Sequence, residues 1–221
     1  MNKLAKESEF IQGLIKSLIN QGEDPVKIAL QFANIPPLYR NTSFENLDSS
    51  REPEAFEICQ QYANKGKYQG KRGLCLYGPP GNGKTSLAVA IMRRYVEVQG
   101  GDCKVCFVDL NSVLADLRNS FGDPESRIRP EGFQQIAQGN DCLIIDDLGQ
   151  QKMTEWVEDQ LYSLINTLYT QYKKVIVTTN LPFEKLTKDM NYALISRILG
   201  MCHEIRITGD DYRISPASLQ E

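Results

Sequence analysis

The sequence has one histidine, one tryptophan, no cysteine before Cys59, no long apolar run and no excess of positive charge. Nothing in it approaches the roughly 20 consecutive apolar residues that cross a bilayer. The charges of Lys3, Lys6, Glu7 and Glu9 do not open a signal peptide. These absences lead us to expect a soluble, cytoplasmic protein without membrane contact. A net charge of −3 argues against a chain held on nucleic acid by bulk positive charge, though a local basic face remains open. With 221 residues, 41% apolar and 24% charged, the composition favours one domain with a sizeable core and perhaps a small appendage. There is no internal repeat or low-complexity tract.

The six cysteines do not read as a metal site. The one C-x-x-C pair, Cys103 and Cys106, sits in strand-like KVCFV, where a spacing of three puts the side chains on opposite faces. A zinc site would have to recruit Cys202 and His203 from far along the chain. Buried, reduced thiols and no zinc are expected.

Residues 1 to about 34 carry a helical pattern, with Phe10, Ile11, Leu14, Ile15, Leu18 and Ile19 at i, i+3/i+4 spacing. Gly22 through Pro25 breaks it. A second short helix is predicted from Pro25 to Ala33, and Pro36 and Pro37 stop it. Residues 1–36 are therefore expected to be a helical docking segment or a cap on the main unit, and residues 37–221 the main domain. Beyond residue 40, strand-like runs (74–78, 104–110, 142–146, 174–180 and 203–207) alternate with helical stretches. Continuous β-branched runs separated by helices predict an α/β fold with a parallel sheet covered on both faces.

The segment Gly78-Pro79-Pro80-Gly81-Asn82-Gly83-Lys84-Thr85 satisfies G-x-x-x-x-G-K-[ST] between a predicted strand and a predicted helix. Its glycines let the backbone close around phosphate oxygens, and the helix N-terminus adds its dipole. Lys84 is placed to bridge β- and γ-phosphates and Thr85, followed by Ser86, to ligate Mg²⁺. Between Ile58 and Val96 lie seven Lys or Arg and no acid, a local positive field suited to a polyphosphate. Later, Leu143-Ile144-Ile145-Asp146-Asp147 ends an apolar strand in carboxylates. Asp146 is the candidate metal-shell residue and Asp147 the candidate base for the attacking water. Two acids capping the turn at Gly149 is the structural alternative.

Taken together, GPPGNGKT, LIIDDLG, VIVTTN and ISRI resemble, in order and spacing, the AAA+ ATPases of the bacterial helicase-loader group (DnaC/DnaI-like loaders and related IstB-like ATPases). The similarity runs from about residue 36 to 210, and IPPLYRNTSFENL is similar to the segment preceding the ATPase core in that group. It implies a five-stranded parallel sheet ordered 5-1-4-3-2, an Mg²⁺-dependent ATPase, and a partner helicase gripped by residues 1–34. It also implies that Asn180 is the polar first sensor and that Arg197 is an arginine finger reaching a neighbouring subunit, so the active form is an oligomer. Tyr39 and Phe44 would border the adenine.

Residues 110–138 would match an insertion facing single-stranded DNA, with Arg118, Arg127 and Arg129 as candidate contacts. The charges there are not net basic, and Phe121 and Phe133 suit a core as well as base stacking. Only 24 residues follow Arg197, which implies no separate helical lid domain. Arg213 stands either as a second sensor or as a surface arginine. The runner-up reading is an ATPase that assembles on duplex DNA and assists a transposase; a third is a nucleotide-gated adaptor with little catalysis.

Overall fold

The computed structural model describes residues 17, 18, 20–119, 132–209, 211 and 212. Five strands form one sheet: β1 (Gly73–Tyr77), β2 (Val105–Asp109), β3 (Cys142–Asp146), β4 (Lys174–Thr179) and β5 (Cys202–Arg206). Their order is β2-β3-β4-β1-β5 and every pairing is parallel, the arrangement the resemblance implies. The strands are short and apolar because both faces are covered. Leu74, Leu76, Phe107, Ile144 and Ile176 enter one buried cluster, and Cys75, Val108, Leu143, Ile145 and Val177 the other.

Helices α1 (Pro25–Gln31), α2 (Pro53–Lys65) and α3 (Lys84–Val98) cover the first face. The second carries α4 (Leu110–Asn119), α5 (Gly132–Gly139), α6 (Glu155–Thr170), α7 (Phe183–Asp189) and α8 (Tyr192–Met201). The α2 helix is a feature that sequence reading passed over. Its signals are present: Pro53 in the first turn, apolar Ala55, Cys59, Tyr62 and Ala63 on one side, and Gly66 in the left-handed conformation at its end.

The α1 helix starts at Asp24, whose carboxylate accepts from the Val26 N–H at 2.9 Å. Ile28, Ala33 and Ile35 are buried, and the Ala33 carbonyl accepts from the Phe107 N–H at 2.7 Å along the outer edge of β2. Packing thus runs without a break through residue 36, and residues 25–35 are built onto the main domain. Apart from residues 17, 18 and 20, which are helical, the predicted first helix lies outside the described residues. Of the cysteines, five are buried and Cys103 is half-buried; Cys103 packs against one cluster and Cys106 lies in the other. No described helix is long and apolar enough to cross a membrane.

Candidate nucleotide site

The site is built at the carboxyl ends of β1, β3 and β4. Between β1 and α3 the chain makes the tight loop 78–83, with Gly78, Gly81 and Gly83 all at positive φ. Gly78 is required by close approach to backbone as well as by φ, and a side chain at Gly81 would have to displace the Asp211 carboxylate. A Cβ on Gly78 would meet the Ile207 carbonyl at 1.9 Å, and one on Gly81 the Asp211 carboxylate at 1.8 Å. Lys84, the first residue of α3, is buried, and its ammonium donates to the Gly78 carbonyl at 2.9 Å, the Pro79 carbonyl at 2.5 Å and Asn82 Oδ1 at 2.9 Å. Asn82 in turn donates to the Ile207 carbonyl at 2.8 Å, fastening the loop to the chain leaving β5.

Two hydroxyls converge on one oxygen of Asp146. Thr85 donates to it at 2.9 Å and Thr178 at 2.6 Å. Burial pushes the Asp146 carboxyl up, as do the neighbouring charges of Asp147 and Asp109; the two hydroxyl bonds act in the opposite direction. Asp147 sits in the left-handed region at φ 58°, its N–H held by Thr178 Oγ1 at 3.0 Å. Its carboxylate accepts from Asn180 Nδ2 at 3.3 Å. The predicted metal-shell acid, base and first sensor therefore stand together beside the loop. Thr178, which fastens both aspartates, was visible in VIVTTN but had been given no role.

A cavity of about 860 Å³ opens over these groups. Gly81, Asn82, Gly83, Lys84, Thr85, Ser86, Asp146, Asp147 and Asn180 line it, with Pro80 at the loop and Leu38, Tyr39 and Phe56 among its apolar lining. Phe44 is not among the lining residues. It is buried edge-on against Phe56, ring centroids 5.1 Å apart, in the core. Of the two residues expected to border the adenine, Tyr39 thus lines the cavity, whereas Phe44, in the short 3₁₀ turn Phe44–Asn46, is buried and its neighbour Phe56 lines the cavity.

The chain after β5 returns across the loop. The Tyr212 N–H donates to the Gly81 carbonyl at 3.0 Å and its ring lies against Gly83, with the Arg51 guanidinium 4.4 Å over that ring. Glu52 Oε1 anchors this strap by accepting from the Thr208 N–H at 2.6 Å, the Thr208 hydroxyl at 2.8 Å and the Gly209 N–H at 2.7 Å. No sequence motif announced Glu52, since its partners, two backbone N–H groups and one hydroxyl, lie more than 150 residues away.

Arg197 lies on α8, and each of its guanidinium nitrogens is engaged within the chain. It donates to Asn166 Oδ1 at 3.0 Å, the Ala193 carbonyl at 2.8 Å and the Tyr162 hydroxyl at 2.9 Å. Arg118 on α4 stacks over Trp156 at 5.5 Å, and Phe133 is buried in the core, which removes it as a stacking candidate. Phe121, Arg127, Arg129 and Arg213 lie outside the described residues. Of the basic residues between 58 and 96, Lys84 is the one that lines the cavity.

With this geometry in hand, the relatives are decisive. The family model for IstB-like ATP binding proteins matches residues 21–219. The chain belongs to the IstB-like ATP-binding family. Among curated relatives it is 28% identical over 172 residues to the uncharacterized protein YqaM of Bacillus subtilis, covering 73% of this chain and 52% of YqaM. It is 25% identical over 215 residues to the replicative helicase loader DnaI of Bacillus subtilis, covering 91% of this chain and 63% of DnaI. The insertion sequence IS5376 putative ATP-binding protein of Geobacillus stearothermophilus is 24% identical, with coverage of 97% and 84%. The chain thus spans about half the length of YqaM and under two thirds of DnaI. A crystal structure of the DnaC helicase loader superimposes with a TM-score of 0.66 at 23% identity, covering 78% of this chain and 99% of that one. The fold is that of the AAA+ P-loop proteins.

Proposed function

We propose that the protein is an Mg²⁺-dependent ATPase that loads a replicative helicase onto single-stranded DNA, with ATP binding and hydrolysis as the assembly and release switch. The observation that carries the catalytic part is the convergence of Thr85, Asp146, Asp147 and Asn180 beside Lys84 at one end of the cavity. Hydroxyl and carboxylate oxygens are the hard donors Mg²⁺ takes, and a cation beside Asp146 would relieve a carboxyl that burial disfavours as an anion. Thr85 and Asp146 would hold the ion, which when bound supplies neutralisation of phosphate charge.

The remaining chemistry falls to the chain. Lys84 exchanges its loop carbonyls for phosphate oxygens, and the glycine loop closes on them. Asp147, held by Asn180, accepts the proton of the attacking water, while Asn180 orients that water or the γ-phosphate. Arg197 leaves Tyr162 and Asn166 to stabilise charge developing on the phosphate of a neighbouring subunit, so turnover follows assembly. ATP can act as a switch only if the ATP state binds the partner more tightly than the ADP state.

The loader reading draws its support from the likeness to DnaI, and it assigns residues 1–34 to the helicase. Residues 25–35 already pack on the core, so the gripping surface lies chiefly ahead of them. The test is light-scattering chromatography of the full chain mixed with the host's replicative helicase, in ATP and in ADP. A complex favoured by ATP and lost on deleting residues 1–24 is expected; no complex in either nucleotide sinks the loader reading. The second reading, an ATPase that assembles on duplex DNA to assist a transposase, is favoured by the IS5376 relative. It predicts ATP-dependent filaments on duplex DNA in place of a helicase complex.

A further inference from the structure

The cations that do not reach the cavity gather elsewhere. Lys65, Lys67, Lys71 and Arg72 precede β1, and Lys173 and Lys174 stand at the start of β4, its neighbour in the sheet. All six therefore lie at the amino-terminal edge of the sheet, opposite the nucleotide cavity. The group is tied together by geometry. Arg72 Nε donates to the Lys173 carbonyl at 3.2 Å, and a Cβ on Gly66 would touch the Lys174 side chain at 2.6 Å. Lys71 Nζ donates to the Leu199 and Gly200 carbonyls at 2.8 and 3.0 Å. The described ion pairs involve none of the six. Three acids share this neighbourhood: Asp141, which accepts from the Lys104 N–H toward β2, Asp102, and Glu204 on β5.

Two tyrosines interleave with these charges. The Arg72 guanidinium lies 5.4 Å from the Tyr169 ring centroid and 4.7 Å from that of Tyr172. Tyr169 is 41% exposed and Tyr172 78% exposed. Tyr172 also follows the C-cap of α6 at φ 56°, a left-handed position that glycine fills without strain. A bulky aromatic there carries a backbone cost and buries little in return. An exposed tyrosine in such a place, backed by an arginine and followed in the chain by Lys173 and Lys174, has the makings of a stacking platform for bases beside positive charge.

We propose that this edge is a contact surface for single-stranded nucleic acid, with the six cations meeting the phosphates and Tyr172, supported by Tyr169, stacking on unpaired bases. The assignment needs neither ATP nor the loader reading, and the edge adjoins the end of the 110–138 stretch to which resemblance assigns DNA contact, where Lys173 Nζ donates to the Gln138 carbonyl at 3.2 Å. A purely electrostatic docking site for an acidic protein would not require the tyrosines to be exposed.

The test is fluorescence anisotropy of a labelled oligothymidylate of about 20 nucleotides with the full chain, without nucleotide, at about 50 and 200 mM salt. Tyr172→Gly is expected to weaken binding roughly tenfold through lost stacking. Its unfolding midpoint should stay unchanged or rise, since glycine takes the positive φ freely. Lys173→Glu should weaken binding and flatten the salt dependence, and a duplex of matching length should bind more weakly than the single strand. Affinity unchanged in both variants, or absent in the parent protein, would overturn the proposal. So would equal competition by polyglutamate, which would assign the edge to an acidic protein.

Discussion

The Thr85 hydroxyl and the Asp146 carboxylate, 61 residues apart in sequence, are joined by a 2.9 Å hydrogen bond, and Thr178 closes on the same oxygen at 2.6 Å. The bond links the end of the phosphate loop to β3 across β4, so the sheet order sets the pair proposed to hold the metal. It also holds a carboxyl whose ionised form is disfavoured, first by burial and then by Asp147 and Asp109.

The sign of the resulting effect follows from that shift. A carboxyl raised above its unfolded value favours folding while it is protonated, and that contribution fades as pH rises through the folded value. Asp146→Asn keeps an oxygen for both threonines and removes the charge. Its unfolding midpoint without nucleotide should equal or exceed the parent's, with the gap widening as pH rises. The stabilisation by saturating Mg-ATP, about 2.7 kcal/mol at a hundredfold excess over Kd, should be lost. A thermal melt series with and without Mg-ATP checks both; retained Mg-ATP stabilisation would remove Asp146 from the metal shell.

Asn82 ties two parts of the site together, taking Lys84 on its oxygen and giving its amide to Ile207. Asn82→Ala leaves a buried carbonyl without its donor and should cost about 1–3 kcal/mol of stability. Lys84→Ala should abolish nucleotide binding, whereas Asn82→Ala should only weaken it, because the loop backbone and Lys84 remain. Calorimetric titration with ATP separates the two, and equal loss in both variants would contradict the ranking.

Local pattern carried much of this site into view, and the limits of that view are physical. The loop, the strand ending in Asp146-Asp147 and the strand ending at Asn180 are contiguous, so residue type and spacing display them directly. The sheet order was legible only through resemblance, because parallel pairing is decided between segments far apart. Glu52 escaped notice because it serves two backbone N–H groups and a threonine hydroxyl near residue 208, more than 150 residues away, a pairing that no local spacing displays. The basic run was read as one field because its members are neighbours in sequence. The β1 strand then separates them, delivering Lys71 and Arg72 to one edge of the sheet and Lys84 to the other.

Phe44 shows the same distinction between sequence proximity and direction. It is buried with Phe56 at its edge, while Phe56 also reaches the cavity lining. Phe44→Ala should destabilise the fold by about 3–5 kcal/mol. Phe44→Leu should be milder and leave nucleotide affinity unaltered. Denaturant melts together with ATP titration of the leucine variant test this; a large affinity loss in a stable Phe44→Leu protein would restore Phe44 to the nucleotide site.

Arg197 is docked against its own chain through Asn166, Ala193 and Tyr162. Arg197→Ala should therefore cost about 1–2 kcal/mol of stability, spare ATP binding and lower turnover by about a thousandfold or more. If the arginine acts on a neighbour, mixing the variant with Lys84→Ala protein should recover part of the activity that neither has alone. In such a mixture one subunit supplies an intact site and the next an intact Arg197. No recovery in a mixture that still co-assembles would place its action within one subunit.

Glu52 holds the chain after β5 over the phosphate loop, and that chain carries Asp211 against Gly81 and the Tyr212 ring against Gly83. Removing the carboxylate leaves two N–H groups and a hydroxyl without their shared acceptor. Glu52→Ala should therefore cost about 2 kcal/mol, chiefly as local opening of the strap. The amides of Thr208 and Gly209 should exchange faster with solvent while those of β1 and β4 keep their protection. Because the released strap also forms one wall of the cavity, ATP should bind more weakly and leave faster. Glu52→Gln, which retains one accepting oxygen, should fall between the two proteins. Hydrogen exchange with residue resolution decides the matter: unchanged exchange at residues 208 and 209 in Glu52→Ala would show that Tyr212 and Asn82, not Glu52, hold the strap in place.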